Sequence, residues 1–342
     1  MTLLLPQYKA SVAASCGFAA LAALAVFAST SFVAAAFAAA PVPPPFFPSP
    51  NAAANSHVPA VLSAQQFVQV RCQAEGQTQY FEGQGQVYAN FPAEPMRPLF
   101  TFSGLDITRC VRNKRGGWTL ESRELGYYLD SATRAPLGEW QNPFTHEVVN
   151  VMHIANPLLQ LDLPPQIPVR SQGELSVVTL ELPLAVPSPT DSNQRLAPYI
   201  AAGTVRSFVS YSYVFNAAAV NGTPSTPDTP GDAAIAGPSA KGAVGLTYFE
   251  VGPWRPWMKM GALPGQMVFS IASHRVAHFQ DLSPLFQKEI NERLPLYKEA
   301  PVCKTTLAGG STFLDFAQSF DAYLRGEKFP LPAPLRAEPC EE

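Results

Sequence analysis

Thr204–Phe215 reads TVRSFVSYSYVF. Val205, Phe208 or Val209, Tyr211, Tyr213 and Phe215 alternate with small polar residues. Side chains on a strand point to opposite faces in turn, so a period of two predicts a strand with one face buried. The same signal recurs on both sides. Upstream, Val68–Ala74, Gly85–Asn90, Leu99–Phe102, Asp106–Arg112, Trp118–Glu124, Gly126–Leu129, Val148–Ile154 and Glu174–Leu184 are short strand-like runs. Downstream, Val244–Val251 and Gln266–Ala272 continue the series. Turn-forming clusters separate them, and Asn113–Gly117, with two glycines available for positive φ, is the best hairpin loop. Closely spaced strands with short turns predict an antiparallel meander. A sheet this long must close or be covered to protect its edges. The fold expected is mainly β, an antiparallel β-barrel or strongly curved sheet with a few C-terminal helices. Those helices are Pro284–Leu294 and Ser311–Leu324, the second carrying Phe313, Phe316, Ala317, Phe320 and Leu324 on one stripe.

The chain has 342 residues, 47% of them hydrophobic, 14% charged, with a net charge of −3. That is ample for a core and excludes a disordered polyelectrolyte. A pI near 6.0 argues against a dedicated nucleic-acid partner. The 35 prolines, about twice the average share, exclude an all-helical bundle.

The N-terminus reads as an address. From Ala10 to Ser56 no residue is charged, and residues 11 to 40 are mostly Ala, Val, Leu and Phe after Lys9. A basic start, an apolar stretch and small residues before a cut describe a signal peptide over residues 1–36; an uncleaved membrane anchor is the alternative. Cleavage after Ala36 would leave Phe37 first, which resembles the bipartite presequences of algae with complex plastids. Plastid delivery is therefore the expectation, with secretion or membrane anchoring as alternatives, and contact with a membrane only through this segment if it stays uncleaved. Residues 37–60 are a Pro/Ala-rich transit or linker segment. Residues 61–301 form one β-rich domain with a flexible insertion at 221–243, and residues 302–342 a C-terminal helix and tail. Beyond the signal, Cys72, Cys110, Cys303 and Cys340 allow three pairings, between which the sequence does not choose. Asn221-Gly222-Thr223 is a glycosylation acceptor pattern.

Two blocks carry a family resemblance. Within Gly83–Asn156 the features are Ser122-Arg123-Glu124 before Gly126-Tyr127-Tyr128 and Asp130, then Trp140-Gln141-Asn142-Pro143 and Val151-Met152-His153-Ile154-Ala155-Asn156. Thr247–Gly265 contributes Trp254-Arg255-Pro256-Trp257-Met258-Lys259-Met260. Together they resemble the uncharacterised family catalogued as domain of unknown function 1838, over residues 65 to 301. The resemblance implies no specific activity. The presequence, the Asn221–Ala243 insertion and the tail after Pro301 depart from its pattern.

Arg123, Glu124 and Tyr127 are catalytic candidates. An arginine, an acid and a tyrosine inside a barrel could hold and polarise a carbonyl or phenol. Arg123 and Tyr127 share a face only if their strand is continuous. The alternative is a surface ion pair beside a packed tyrosine. His153 is a candidate general base, because imidazole titrates near neutrality; the alternative is a hydrogen-bonded core histidine. Trp140, Asn142, Asn156, Trp254, Trp257 and Lys259 are the ligand-binding candidates. Tryptophan offers polarisable surface to a flat hydrophobic ligand, and Lys259 could pair with its acidic or carbonyl end. The Trp254–Met260 segment could equally be a plug closing one end of a barrel. No GxSxG elbow, phosphate loop or GxGxxG is present, so no nucleotide cofactor is expected, and neither is a metal. The function expected is a barrel enzyme with isomerase-, lyase- or hydrolase-like acid–base chemistry on a hydrophobic small molecule. A lipocalin-like carrier and an assembly factor are the alternatives.

Overall fold

The computed structural model describes residues 61–172, 175–216, 244–301 and 312–332. The targeting and linker segments over 1–60, the 221–243 insertion, Cys303 and Cys340 lie outside them.

The chain starts with β1 (Val61–Ser63) and α1 (Ala64–Cys72). Here the sequence reading needs correction, since Val68–Ala74 is not a strand. Ser63 and Gln66 form a capping box: the Gln66 amide donates to Ser63 Oγ at 3.2 Å, and the Ser63 amide donates to Gln66 Oε1 at 2.9 Å. That reciprocal cap starts a helix through the apolar run. Three long strands follow, β2 (Gln79–Asn90), β3 (Arg97–Arg112) and β4 (Trp118–Leu129). The hairpin expected at Asn113–Gly117 joins β3 to β4; Asn113 Oδ1 accepts from the Gly117 amide at 2.9 Å, and Gly116 has φ 76°.

The sequence predicts two runs within each of β3 and β4, but each strand is continuous. Gly104 pairs with Gly126 across the ladder, and the Phe102 ring lies over both. A Cβ on Gly126 would fall 2.3 Å from Phe102 Cζ. These glycines make room for a ring rather than a turn.

The short hairpin β5 (Glu139–Gln141) and β6 (Val148–Asn150) precedes β7 (Ile154–Asp162). β7 contains Pro157, which a central strand would exclude; it is tolerated because β7 is an edge of the sheet. Then come β8 (Gln166–Pro168), which pairs with β1, β9 (Arg170–Gln172) and β10 (Leu175–Pro187). β11 (Thr204–Asn216), β12 (Val244–Gly252) and β13 (Gln266–Val276) are the remaining strands. α2 (Pro284–Glu292) follows. The expected last helix is two, α3 (Thr312–Gln318) and α4 (Phe320–Leu324). Their break at Ser319 rotates the buried stripe, so Tyr323 is buried and Leu324 is exposed.

Nine strands form one antiparallel sheet in the order β7-β4-β3-β2-β13-β12-β11-β10-β9. It curls into a half-barrel, mainly β with a few short helices as expected. Alternation gives each strand an inner and an outer face. Near one end the inner face packs on α1 through Phe67, Phe81, Tyr213 and Phe215. Near the other it packs on Trp254, Trp257, Met258 and the α3–α4 aromatics. α2 covers part of the outer face, with Phe286 and Ile290 against Leu105, Ile107, Leu125 and Tyr127. The Cys72–Cys110 disulfide ties α1 to β3.

Candidate functional site

Between the two inner cores the curled sheet encloses a cavity of about 560 Å³. Its walls come from both ends of the sheet order. β7 gives Leu159 and Leu161, and β10 and β11 give Leu180, Leu182, Val205 and Val209. Thr312 and Phe313 of α3 close one side. An apolar recess of about 70 Å³ opens beside it, under Phe102, Gly104, Gly126 and Phe269. Glu124, Asp106, Tyr211 and Tyr248 line both spaces, so they mark the junction.

The polar groups are concentrated at that junction. Tyr211 donates to Glu124 Oε1 at 3.3 Å, and Asn156 Nδ2 donates to Oε2 at 3.0 Å. Burial, reinforced by the Asp106 carboxylate, pushes Glu124 up to about 7 from its ordinary 4.5, although these two hydrogen bonds oppose the rise. No cation pairs with Glu124 among the described residues. Two ion pairs flank it. Arg71 of α1 bonds Asp106, with its guanidinium 4.3 Å from the Phe81 centroid. Arg255 NH2 donates to Glu250 Oε2 at 2.6 Å and lies 4.7 Å from the Phe269 centroid. Tyr248 donates to the same Glu250 oxygen at 2.6 Å. Burial, with Glu124 and Glu250 nearby, holds the Tyr211 and Tyr248 phenols well above the usual range, so both remain protonated donors.

The residues singled out from sequence divide between four places. Glu124 and Asn156 meet in the cavity. Arg123 and Tyr127 do share a face of the continuous β4, but it is the outer one. Arg123 donates to the Glu299 and Pro157 carbonyls at 3.0 and 3.1 Å, and the Tyr127 hydroxyl donates to Glu289 Oε2 at 3.4 Å. His153 is buried in the wall. Its Nδ1 accepts from the Tyr128 amide at 3.2 Å, its ring stacks on Tyr128, and burial drives it down to about 3, opposed by a hydrogen bond to the Leu137 backbone. It is a neutral core imidazole.

Trp140, Asn142, Trp254 and Trp257 assemble the end plug. Asn142 donates to the Met258 carbonyl at 2.7 Å and accepts from the Phe144 amide at 2.8 Å, locking two loops together. Trp257 is fully buried, with its ring centroid 5.8 Å from that of Trp140. Trp254 Nε1 donates to the Leu263 carbonyl at 3.1 Å. Lys259 stands outside and pairs with Glu147. The aromatic segment therefore supplies the cavity with Arg255, the member not singled out, while its tryptophans close the end.

Tyr211, Tyr248, Glu250, Arg71 and Asp106 were also missed. A signal existed for Glu250. It alternates with Leu246 and Tyr248 in a strand whose inward positions are otherwise uncharged, and a charge at such a position needs a reason.

The family model described as "Protein of unknown function (DUF1838)" matches residues 76–320, and the chain belongs to that family. The match takes in β2 through most of the C-terminal helical pair and holds every residue of the junction except Arg71. No curated protein matches the chain.

Proposed function

We propose that the half-barrel is the chamber of an enzyme that acts on a hydrophobic small molecule, with Glu124 as its general acid and base. The observation that supports this reading best is the placement of Glu124. It is an acid near neutrality, without a cation partner among the described residues, hydrogen-bonded from two sides, at the junction of a large apolar cavity and a small recess. A carboxyl that exchanges its proton near pH 7 is suited to take a proton from one atom of a bound molecule and return it to another. The volume falls in the range of small-molecule sites, and apolar walls with a few convergent polar groups are their usual composition. The ligand's body would lie between β7 and β10, with its reacting end at Glu124. Tyr211 and Asn156 would orient the carboxyl. The same apolar walls favour a carrier as the second reading. The presequence suggests a plastid as the place of action.

The test is native mass spectrometry of the protein purified from its own source, with extraction and identification of whatever is bound. A stoichiometric apolar molecule is expected. Incubated with that molecule, the enzyme should convert it, and Glu124→Gln should bind it without conversion. Binding with no conversion by either form would establish the carrier. A protein that carries and takes up no apolar molecule would sink both readings.

A further inference from the structure

The cavity lining includes five charged side chains among the described residues: Arg71, Asp106, Glu124, Glu250 and Arg255. Each arginine is already matched with a carboxylate, Arg71 with Asp106 and Arg255 with Glu250. Arg275 lies behind the lining and donates to the Val70 carbonyl. The remaining charge-bearing group is Glu124, an acid. Both phenols at the junction donate to carboxylates, Tyr211 to Glu124 and Tyr248 to Glu250. Their oxygens keep lone pairs that can accept a further hydrogen bond. Among the described residues of the lining, an incoming polar group thus meets one titratable carboxyl and no arginine that lacks a carboxylate.

We infer that the cavity takes an uncharged apolar molecule whose polar end is a hydroxyl or carbonyl, and that it rejects carboxylates. This deepens the proposed function and rests on its assignment of the cavity as the ligand site. A fatty-acid-type ligand would bring a further anion beside Glu124, where the charge of each lining arginine is already balanced by a carboxylate, although each pair uses one guanidinium nitrogen and leaves others without a partner. An arginine shared between two carboxylates leaves one negative charge uncompensated, a penalty in a low-dielectric site. A hydroxyl brings no charge; it can donate to the Tyr211 or Tyr248 oxygen and accept from protonated Glu124. A carbonyl can only accept, and the Glu124 proton serves it. The binding preference is therefore set by charge balance at the junction, while the leucine and valine walls set the requirement for an apolar body.

The experiment compares two probes with one apolar body, pyrenedecanol and pyrenedecanoate, titrated into the full chain at about pH 8, where a free carboxylic acid is ionised. Pyrene emission reports binding. The alcohol is expected to bind at least ~10-fold more tightly than the carboxylate. Glu124→Gln, which removes the competing anion, should narrow that ratio at the same pH. Val209→Trp, which fills the cavity, should weaken the alcohol. Carboxylate binding equal to or tighter than the alcohol, with both lost in Val209→Trp, would overturn the inference and leave the cavity assignment standing. Alcohol binding that ignores Val209→Trp, or no binding of either probe, would overturn the cavity assignment and the inference with it.

Discussion

The Tyr211 hydroxyl donates to Glu124 Oε1 across 3.3 Å, although β3, β2, β13 and β12 separate their strands in the sheet. The bond crosses the interior of the half-barrel and joins its two walls. It also favours the ionised form of Glu124. Tyr211→Phe should therefore raise the acid's pKa beyond about 7 and cost about 1–2 kcal/mol of stability. Infrared titration of the protonated carboxyl band, compared with Glu124→Gln to identify the signal, checks this. An unmoved band in Tyr211→Phe would show that the two groups do not interact in solution.

Glu124 also leaves a mark on stability. Its folded pKa of about 7 lies above the ordinary 4.5, so between those values the folded state binds more protons than the unfolded one. Stability then falls as pH rises through this window and levels off above it. The full effect is on the order of 3 kcal/mol. Glu124→Gln removes this contribution and should gain on the wild type as pH rises from about 4.5 to 7. Urea midpoints measured across the window give the difference directly. A constant gap between the two proteins would mean that Glu124 titrates normally.

The glycines of the inner face make a graded prediction. A Cβ on Gly85 would meet the Ser270 backbone carbonyl at 2.0 Å, whereas one on Gly104 would meet the edge of the Phe102 ring at 3.2 Å. Backbone cannot give way as a ring can. Gly85→Ala should cost upwards of about 3 kcal/mol or prevent folding, while Gly104→Ala should stay within about 1 kcal/mol. Comparable thermal midpoints for the two variants would contradict this account of the tight β2–β13 approach.

These same positions explain what the sequence did and did not reveal. Period-two alternation exposed β11 and β12 almost to their ends and β10 and β13 in most of their length, because each turns one face to the core or the cavity. Ser103-Gly104 reads as a break because a glycine that clears space for a ring looks, in a single chain, like one that turns it. Val68–Ala74 reads as a strand from its apolar run alone, whereas the Ser63–Gln66 capping box just before it starts a helix. At the site, Glu124 and Asn156 were found as unusual polar residues in a dense block. Tyr211 and Arg255 come from distant segments, and only the curl of the sheet brings them to Glu124. Arg123 and Tyr127 were grouped with Glu124 by proximity in sequence, whereas alternation along β4 sends them to the other face.

Cys72 follows Arg71 in α1, and Cys110 lies on β3 four residues after Asp106. Their disulfide thus clamps the same helix and strand that the Arg71–Asp106 pair joins at the cavity floor. Closing a loop of 38 residues stabilises by about 4 kcal/mol in the chain-entropy account. The Cys72→Ser, Cys110→Ser double variant should lose about 2–4 kcal/mol. Because α1 is then held by fewer contacts, amides of 64–72 should exchange with solvent faster than those of β11. Uniform loosening of the whole chain would contradict a local clamp.

His153 offers the sharpest separation between chemistry and structure. Its Nδ1 holds the Tyr128 amide, and its folded pKa of about 3 lies below the ordinary 6.5. The unfolded state therefore binds more protons between those values, and the wild type loses stability as pH falls from about 6.5 towards 3. His153→Ala leaves the buried Tyr128 amide unpaired and opens space, costing about 2–4 kcal/mol at neutral pH. It also removes the acid sensitivity, so its deficit should shrink on acidification. Affinity for an apolar probe should stay within about twofold wherever the variant is folded, because the imidazole lies in the wall and Glu124 lies at the junction. Unfolding midpoints across the acid range, with probe binding on the same samples, make both comparisons. A folded His153→Ala protein that binds normally but cannot convert the molecule extracted from the native protein would return the imidazole to the chemistry.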